Sequence, residues 1–237
     1  MSADGGFILV TGCSSGIGHH AAHALSERGW HVVAACRSGD DCARLIDEGL
    51  ESVRIDYTDT ASIHRGFEEA LALTDGRLDA LFNNGAHAMG GAIEDTETAG
   101  FRAIFDANFF GWHTLTRLAL AVMRAQGAGR IVQCSSVLGL CAARMRGPYV
   151  STKYAIEGYT DVLRLELRNS GIHPILIEPG PIATRIRVNA QKHYERWVER
   201  EHTPWAGFYK DTLEPRLYAR DPAPDRFELQ PDAVTAK

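Results

Sequence analysis

Tyr149 and Lys153 stand four residues apart in the run Tyr149-Val150-Ser151-Thr152-Lys153. On a helix, residues four apart share a face, so the phenol and the ammonium are neighbours. An adjacent cation stabilises a phenolate and lowers a phenol pKa that starts near about 10. A tyrosine tuned this way exchanges a proton near neutral pH. The same spacing also occurs in ordinary surface pairs, and taken alone it does not choose between them. Cys134-Ser135-Ser136 closes a strand pattern, and hydroxyls at the carboxyl end of a strand in an open α/β sheet stand where ligands bind. They can hold a carbonyl oxygen, or serve only in capping and turns. Asn83-Asn84 and Pro179-Gly180-Pro181-Ile182-Ala183-Thr184 follow two further strand patterns and invite the same comparison.

A second chemistry is marked by Val10-Thr11-Gly12-Cys13-Ser14-Ser15-Gly16-Ile17-Gly18, at a strand-to-helix junction. Glycines there permit a tight turn and let backbone N–H groups approach a phosphate, and the helix N-terminus favours negative charge. It is the first βα turn of a βαβ unit, where a dinucleotide sits. A fold selective for NAD places Asp or Glu about 20 residues beyond such glycines, to bind the ribose 2′-hydroxyl. Here Cys36 and Arg37 occupy that region. Nothing acidic repels a 2′-phosphate and a guanidinium is present to bind it, which points to NADP(H). Taken alone, Arg37 reads equally as a solvated loop charge.

Both constellations need a frame to position them. Short apolar runs bounded by Gly, Asn, Asp or Pro predict strands at Phe7–Val10, His31–Cys36, Ser52–Ile55, Ala80–Phe82, Arg130–Cys134 and His173–Glu178. Helical patterns lie between them, at Ile17–Arg28, Asp41–Glu48, Thr60–Thr74, Thr98–Gln126 and Tyr149–Asn169. Alternating strands and helices predict a doubly wound (Rossmann), mostly parallel α/β sheet with helices on both faces. The whole chain, 1–237, reads as one such domain. After Thr184 the composition turns to Arg, Glu, His, Trp and Tyr with scattered prolines. Helix is expected over Ile186–Arg200 and loop beyond, so 185–237 reads as an arm or lid on the substrate side.

Other functions are excluded more simply. The 237 residues carry 25 Lys+Arg against 30 Asp+Glu, a formal charge of −5, which gives no footprint for nucleic acid. The N-terminus lacks the basic and apolar regions of a signal peptide, and no apolar run approaches a membrane span, so the cytoplasm is the expected location. The five cysteines show no CxxC spacing and read as small hydrophobic thiols. His19, His20 and His23 lie close together, but they read as a solvated helix face, and no metal is expected.

Together these residues resemble the short-chain dehydrogenase/reductase family. The match runs in order from about Phe7 to Thr184 through TGxxxGxG (Thr11 to Gly18), Asn83-Asn84, NFFG (Asn108 to Gly111), the serine pair, YxxxK and PGPIxT. The resemblance implies that Tyr149 is the catalytic acid/base and that Lys153 holds the nicotinamide ribose and lowers the tyrosine pKa. It implies that Ser136, thirteen residues before the tyrosine, orients substrate, with Ser135 as its structural neighbour. Asn108 would help hold a proton-relay water with Lys153. Gly12 and Ser14, Ser15, Gly16, Ile17 and Gly18 would meet the pyrophosphate side of the cofactor. Ser14 and Arg37 would clamp the 2′-phosphate, and Asp56 would meet the adenine. Asn83 and Gly85 would line the cofactor, and Pro179, Gly180, Ile182 and Thr184 would flank the nicotinamide carboxamide.

The chain departs from the family pattern twice. The usual Asn-Asn-Ala-Gly reads Asn83-Asn84-Gly85-Ala86 here, which would strain Ala86 if that position needed φ > 0. Family members also continue into a last helix and a final edge strand. Phe227–Val234, with Pro231 suited to a first turn, resembles the start of that helix, and no strand candidate follows. The expected partner is a small carbonyl or alcohol, with neither nucleic acid nor a membrane span, and relatives assemble as homodimers or homotetramers through the two long helices. Tyr194, Trp197, Trp205, Phe208 and Tyr209, with Met89, Leu138 and Met145, suggest a bulky apolar substrate; the aromatics equally serve to pack the arm. A 3-oxoacyl thioester reductase and a non-enzymatic NADPH sensor are the alternatives.

Overall fold

A computed structural model describes residues 5–219, 224 and 227–236. Six parallel strands form one sheet: β1 (Phe7–Thr11), β2 (His31–Cys36), β3 (Glu51–Arg54), β4 (Ala80–Asn83), β5 (Gly129–Cys134) and β6 (Ile172–Ile177), in the order β3-β2-β1-β4-β5-β6. The order reverses between β1 and β4, and the crevice at such a switch point is where open α/β sheets bind ligands. Register puts Val10 beside both Ala34 and Phe82, and Cys134 beside Ile177, so the carboxyl ends share one edge.

Helices cover both faces. On one lie α1 (Gly16–Glu27) and α2 (Gly39–Asp47), whose Ala21, Ala22 and Leu45 pack on Ile8, Val10, Ala34 and Phe82. On the other lie α3 (Thr60–Leu73), α5 (Gly111–Gln126) and α6 (Gly147–Glu166), whose Ile63, Phe67, Leu115, Met123 and Leu163 pack on Leu9, Val33, Leu81 and Ile131. Local chemistry sets the helix ends. Asp59 caps α3 by accepting from Ser62 N at 3.1 Å, and Gly127, at φ 74, ends α5 in left-handed backbone.

The predicted strand runs survive with shifts of a residue or so at their ends. The predicted Thr98–Gln126 helix is instead α4 (Thr98–Phe105), a π-helical turn at Asp106–Phe110, and α5. The π turn adds a residue to the helical repeat and leaves the apolar pattern readable as one helix. Beyond Thr184, α7 (Ile186–Trp197) matches expectation except that it ends three residues early. The stretch expected to be loop contains α8 (Ala206–Phe208), a π-helical turn at Tyr209–Leu213, and α9 (Glu214–Leu217). Pro215 sits in the first turn of α9, where its missing N–H costs nothing. Residues 220–223 and 225–226 of the arm lie outside the described residues. Leu229 bridges Ile182, and α10 (Asp232–Thr235) follows Pro231 and rests on α1, with Arg28 Nη1 donating to Thr235 O at 2.8 Å.

Candidate active site

The glycine turn between β1 and α1 forms one end of the cleft. Gly12 (φ 70) and Gly16 (φ 63) adopt left-handed backbone, which favours glycine. A Cβ on Gly12 would lie 2.5 Å from Gly85 Cα, so the loop after β4 presses directly on the turn. The exchanged order at 85 and 86 carries no strain. Among the described residues the non-glycines with positive φ are Asp75, Met145 and Asn169, and Ala86 is not one of them.

This end is built to take an anion. Ser15 begins α1 without a side-chain cap, and the first turn holds no acidic residue, so its leading N–H groups keep their capacity for an anion. Ser14 offers its carbonyl to Arg44 Nη2 at 2.8 Å, which ties the turn to α2. Ile17 packs into the core below, and Gly18 is buried. Arg37 is exposed at the end of β2, and among the described residues its guanidinium has no hydrogen-bond or ion-pair partner. Its charge is felt by His87, Lys192 and His193, which places it at the cleft. These groups fit the phosphates of a dinucleotide.

Two predicted cofactor residues are otherwise engaged. Asn83 is fully buried, accepting from the Tyr57 hydroxyl at 2.7 Å and donating to Thr116 Oγ1 at 3.0 Å, and the structure does not bring it to the cleft. Asn84 lines the turn instead, donating to Thr11 O at 3.0 Å. Asp56 spends Oδ1 on its own turn, accepting from Thr58 N and Oγ1 at 3.0 and 2.8 Å. The loop after β6 closes the cleft. Pro179 O accepts from Val137 N at 3.0 Å, Gly180 is exposed, and Ile182 is held by the bridge to Leu229. Thr184 accepts from Ile186 N at 3.3 Å, and its methyl would lie 2.8 Å from a Cβ on Gly16.

The other end gathers the proton-handling groups at the end of β5. Lys153 is 2% exposed and donates to Cys134 O at 2.6 Å. Its ammonium lies 4.7 Å from the Trp112 ring centre and 5.5 Å from that of Tyr149. Tyr149 and Ser136 are each 9% exposed. Ser136 Oγ accepts from Leu138 N at 3.1 Å and donates to Pro179 O at 3.5 Å. Asn108, fully buried within the π turn, accepts from His87 N at 3.0 Å and donates to His87 O at 2.9 Å and Thr152 Oγ1 at 3.3 Å. It clamps the loop after β4 to α6.

Burial dominates the electrostatics here. It raises the Tyr149 phenol, against the pull of a hydrogen bond with Ser136 and the charge of Arg146. It lowers Lys153 to about 8, against the influence of Cys134 and Glu157. The cation expected to draw Tyr149 down was Lys153; Arg146, one helical turn before the tyrosine, does so. Arg146 is itself lowered, first by burial and then by Arg216 and Arg187.

Several working parts carry no local sequence signal. Trp112 donates to Gly85 O at 2.7 Å and so fixes the loop that meets Gly12. His87 and His193 stack at 3.6 Å between ring centres, 7° from parallel, and join the loop after β4 to α7. Burial lowers them to about 4 and about 3. The arm's aromatics divide in favour of packing. Tyr194 and Tyr209 are buried, and their hydroxyls donate to Glu214 and Asp95. Trp205 donates to Glu94 at 2.6 Å. Among the described residues, the one grouping of metal-type donors lies on α1 and α2, outside the cleft. No helix among them is long and apolar enough to cross a membrane.

A doubly wound sheet with a glycine turn at one end of its crevice and a Ser-Tyr-Lys group at the other is a dinucleotide-dependent oxidoreductase in outline. Residues 6–195 match the family model for short chain dehydrogenase, and the chain belongs to that family. It is 46% identical over 185 residues to an uncharacterized oxidoreductase, YbbO, of Escherichia coli, covering 78% of this chain and 69% of that protein. The fold superposes on a short-chain dehydrogenase from Streptomyces avermitilis with TM-score 0.79 and 27% identity, over 98% of this chain and 82% of that one. A gluconate 5-dehydrogenase from Burkholderia cenocepacia, solved with NADP and tartrate, matches with TM-score 0.71 and 26% identity, over 78% and 74% of the two chains. The protein is thus an oxidoreductase of the short-chain dehydrogenase family.

Proposed function

We propose that the chain transfers a hydride between NADP(H) and a carbonyl or alcohol, working as a reductase on a bulky apolar ketone or aldehyde. The observation that carries this reading is the meeting of Tyr149, Ser136 and Lys153 at the carboxyl end of β5, across the crevice from an uncapped α1 with Arg37 beside it. NADPH bound there supplies the hydride. Tyr149, kept protonated by burial, gives its phenol proton to the substrate oxygen, and the Ser136 hydroxyl donates a hydrogen bond to the same oxygen as charge develops. Lys153, held by Cys134 O and Trp112, fixes the ribose side of the cleft, and Arg146 supplies the positive charge that acts on the phenol. Exposed Val137, next to Ser136 in the chain, and Leu138 and Met89, packed in one cluster with Tyr149, support an apolar substrate.

A panel of carbonyls followed by NADPH absorbance tests the reading. Large hydrophobic ketones and aldehydes are expected to be turned over, with NADPH preferred to NADH. Selective turnover of an acetoacetyl thioester would move the substrate class. Tight NADPH binding with no turnover across the panel would make the chain a sensor.

The same reading includes a homodimer or homotetramer formed through α5 and α6. Those helices expose Val162 and Leu165 and enclose a groove of about 670 Å³ lined by Phe109, His113, Leu120, Tyr159, Val162 and Leu163. Val162→Asp with Leu165→Asp is expected to give a monomer in sedimentation. A monomeric wild-type protein would overturn this assembly.

A further inference from the structure

His19 and His23 lie at i and i+4 on α1, the spacing that puts two imidazoles on one face. Spacing alone shows only a polar helix face. The fold adds Glu48, the residue that ends α2, more than twenty positions away. His19 Nε2 and His23 Nε2 lie 2.7 and 2.9 Å from one and the same carboxylate oxygen, Glu48 Oε2. The two rings stand 4.7 Å apart between centres. Glu48 is not free to turn away. Its other oxygen accepts from Arg44 Nη1 at 2.6 Å, and Arg44 Nη2 is in turn anchored on the Ser14 carbonyl at 2.8 Å.

We propose that His19, His23 and Glu48 form a binding site for a borderline divalent cation such as Zn²⁺, clamping α1 to α2 beside the glycine turn. Two imidazoles and a carboxylate are a donor set zinc uses, with water completing the fourth position. Tetrahedral bonds of about 2.0–2.1 Å hold neighbouring donors roughly 3.3 Å apart. The donor atoms already lie within 4.8 Å of one another, and the two nitrogen–oxygen separations need open by only a few tenths of an ångström, roughly, to reach that spacing. Arg44 supplies the outer hydrogen bond that orients a ligating carboxylate. The side chains of His19, His23 and Glu48 are 33%, 33% and 29% exposed, so an ion has a path in and water a path to the open position. The site is independent of the catalytic reading, since none of its three ligands lies in the cleft.

The test is a Zn²⁺ titration of the full chain against a chromogenic chelator, in a Cys141→Ser background that removes the exposed thiol. One equivalent is expected to bind, with affinity falling at least tenfold in each of His19→Gln, His23→Gln and Glu48→Gln. Arg44→Met, which leaves the ligands in place, is expected to lose about tenfold through the outer partner. Zn²⁺ should also raise the melting temperature of the Cys141→Ser protein and leave that of His19→Gln/His23→Gln unmoved. Absence of stoichiometric binding, or the same affinity in all three ligand variants, would overturn the site and leave a hydrogen-bonded triad.

Discussion

The two ends of the cleft solve different problems with opposite devices. At the dinucleotide end the useful groups are left open: an uncapped helix N-terminus, an exposed Arg37, and glycines that keep the backbone approachable. At the reacting end they are buried. Lys153 is 2% exposed, and burial is the largest influence on both it and Tyr149. A phosphate carries full charge before it binds, so recognition needs only donors that have not been spent elsewhere. A proton must change owners during the reaction, so the reacting end needs groups whose charge state the protein controls, and burial is the strongest lever for that.

Substitutions at the two ends should therefore separate chemistry from affinity. The largest effect after the tyrosine itself is expected at Lys153. Lys153→Met should lower kcat for carbonyl reduction about a thousandfold, within the range for acid–base groups. In the wild-type protein, the ammonium is lost as pH rises through about 8, so kcat/KM for reduction should fall above that pH. A pH profile flat to pH 10 would break the link between Lys153 and the reaction. The sign for stability is opposite. With its folded pKa depressed, Lys153 costs stability at neutral pH, and that cost is relieved progressively as pH rises from about 8 toward the unfolded value of about 10.4.

Ser136→Ala should come next, costing about a hundredfold in kcat through loss of one donor to the developing oxyanion. Its effect on cofactor affinity should be small, and a dominant loss of NADPH binding would assign Ser136 to the wrong end. The smallest change in turnover is expected at Arg37. Arg37→Asp should weaken NADPH binding by about tenfold or more, as expected for a charge-assisted contact. NADH should then be preferred while kcat with saturating cofactor stays near wild type. Equal wild-type affinity for both cofactors would remove the phosphate role of Arg37.

The contrast between the ends also explains what could be read from the residues alone. Short-range chemistry was legible. The Tyr149–Lys153 interval and the glycine spacing from Gly12 to Gly18 state their geometry within one turn or one helix. Alternation of short apolar runs with helical patterns predicts a doubly wound parallel sheet, and the fold is one. What failed depended on partners distant in sequence or on one residue of register. Asn83 and Asn84 look alike as a pair, but a strand sends successive side chains to opposite faces. Asn83 turns to Thr116 and is consumed there, and Asn84 reaches the turn. The π turn hid inside an unbroken helical pattern. Pro204 and Pro215 punctuate the arm and make its short helical segments read as loop. The apolar spacing of Trp205, Phe208, Tyr209, Leu213 and Leu217 marks them, and those side chains pack into one cluster with Met89 and Tyr149. Arg146 and Trp112 act through neighbours that only the fold supplies.

The central claim is that Tyr149 gives the proton while the rest of the cleft binds. It is tested most directly by measuring turnover and NADPH affinity on the same sample of Tyr149→Phe. Removing one hydroxyl should abolish carbonyl reduction to within assay limits and leave NADPH affinity within about twofold, since the uncapped α1 and Arg37 are untouched. Substantial retained turnover in that variant would contradict the assignment of Tyr149.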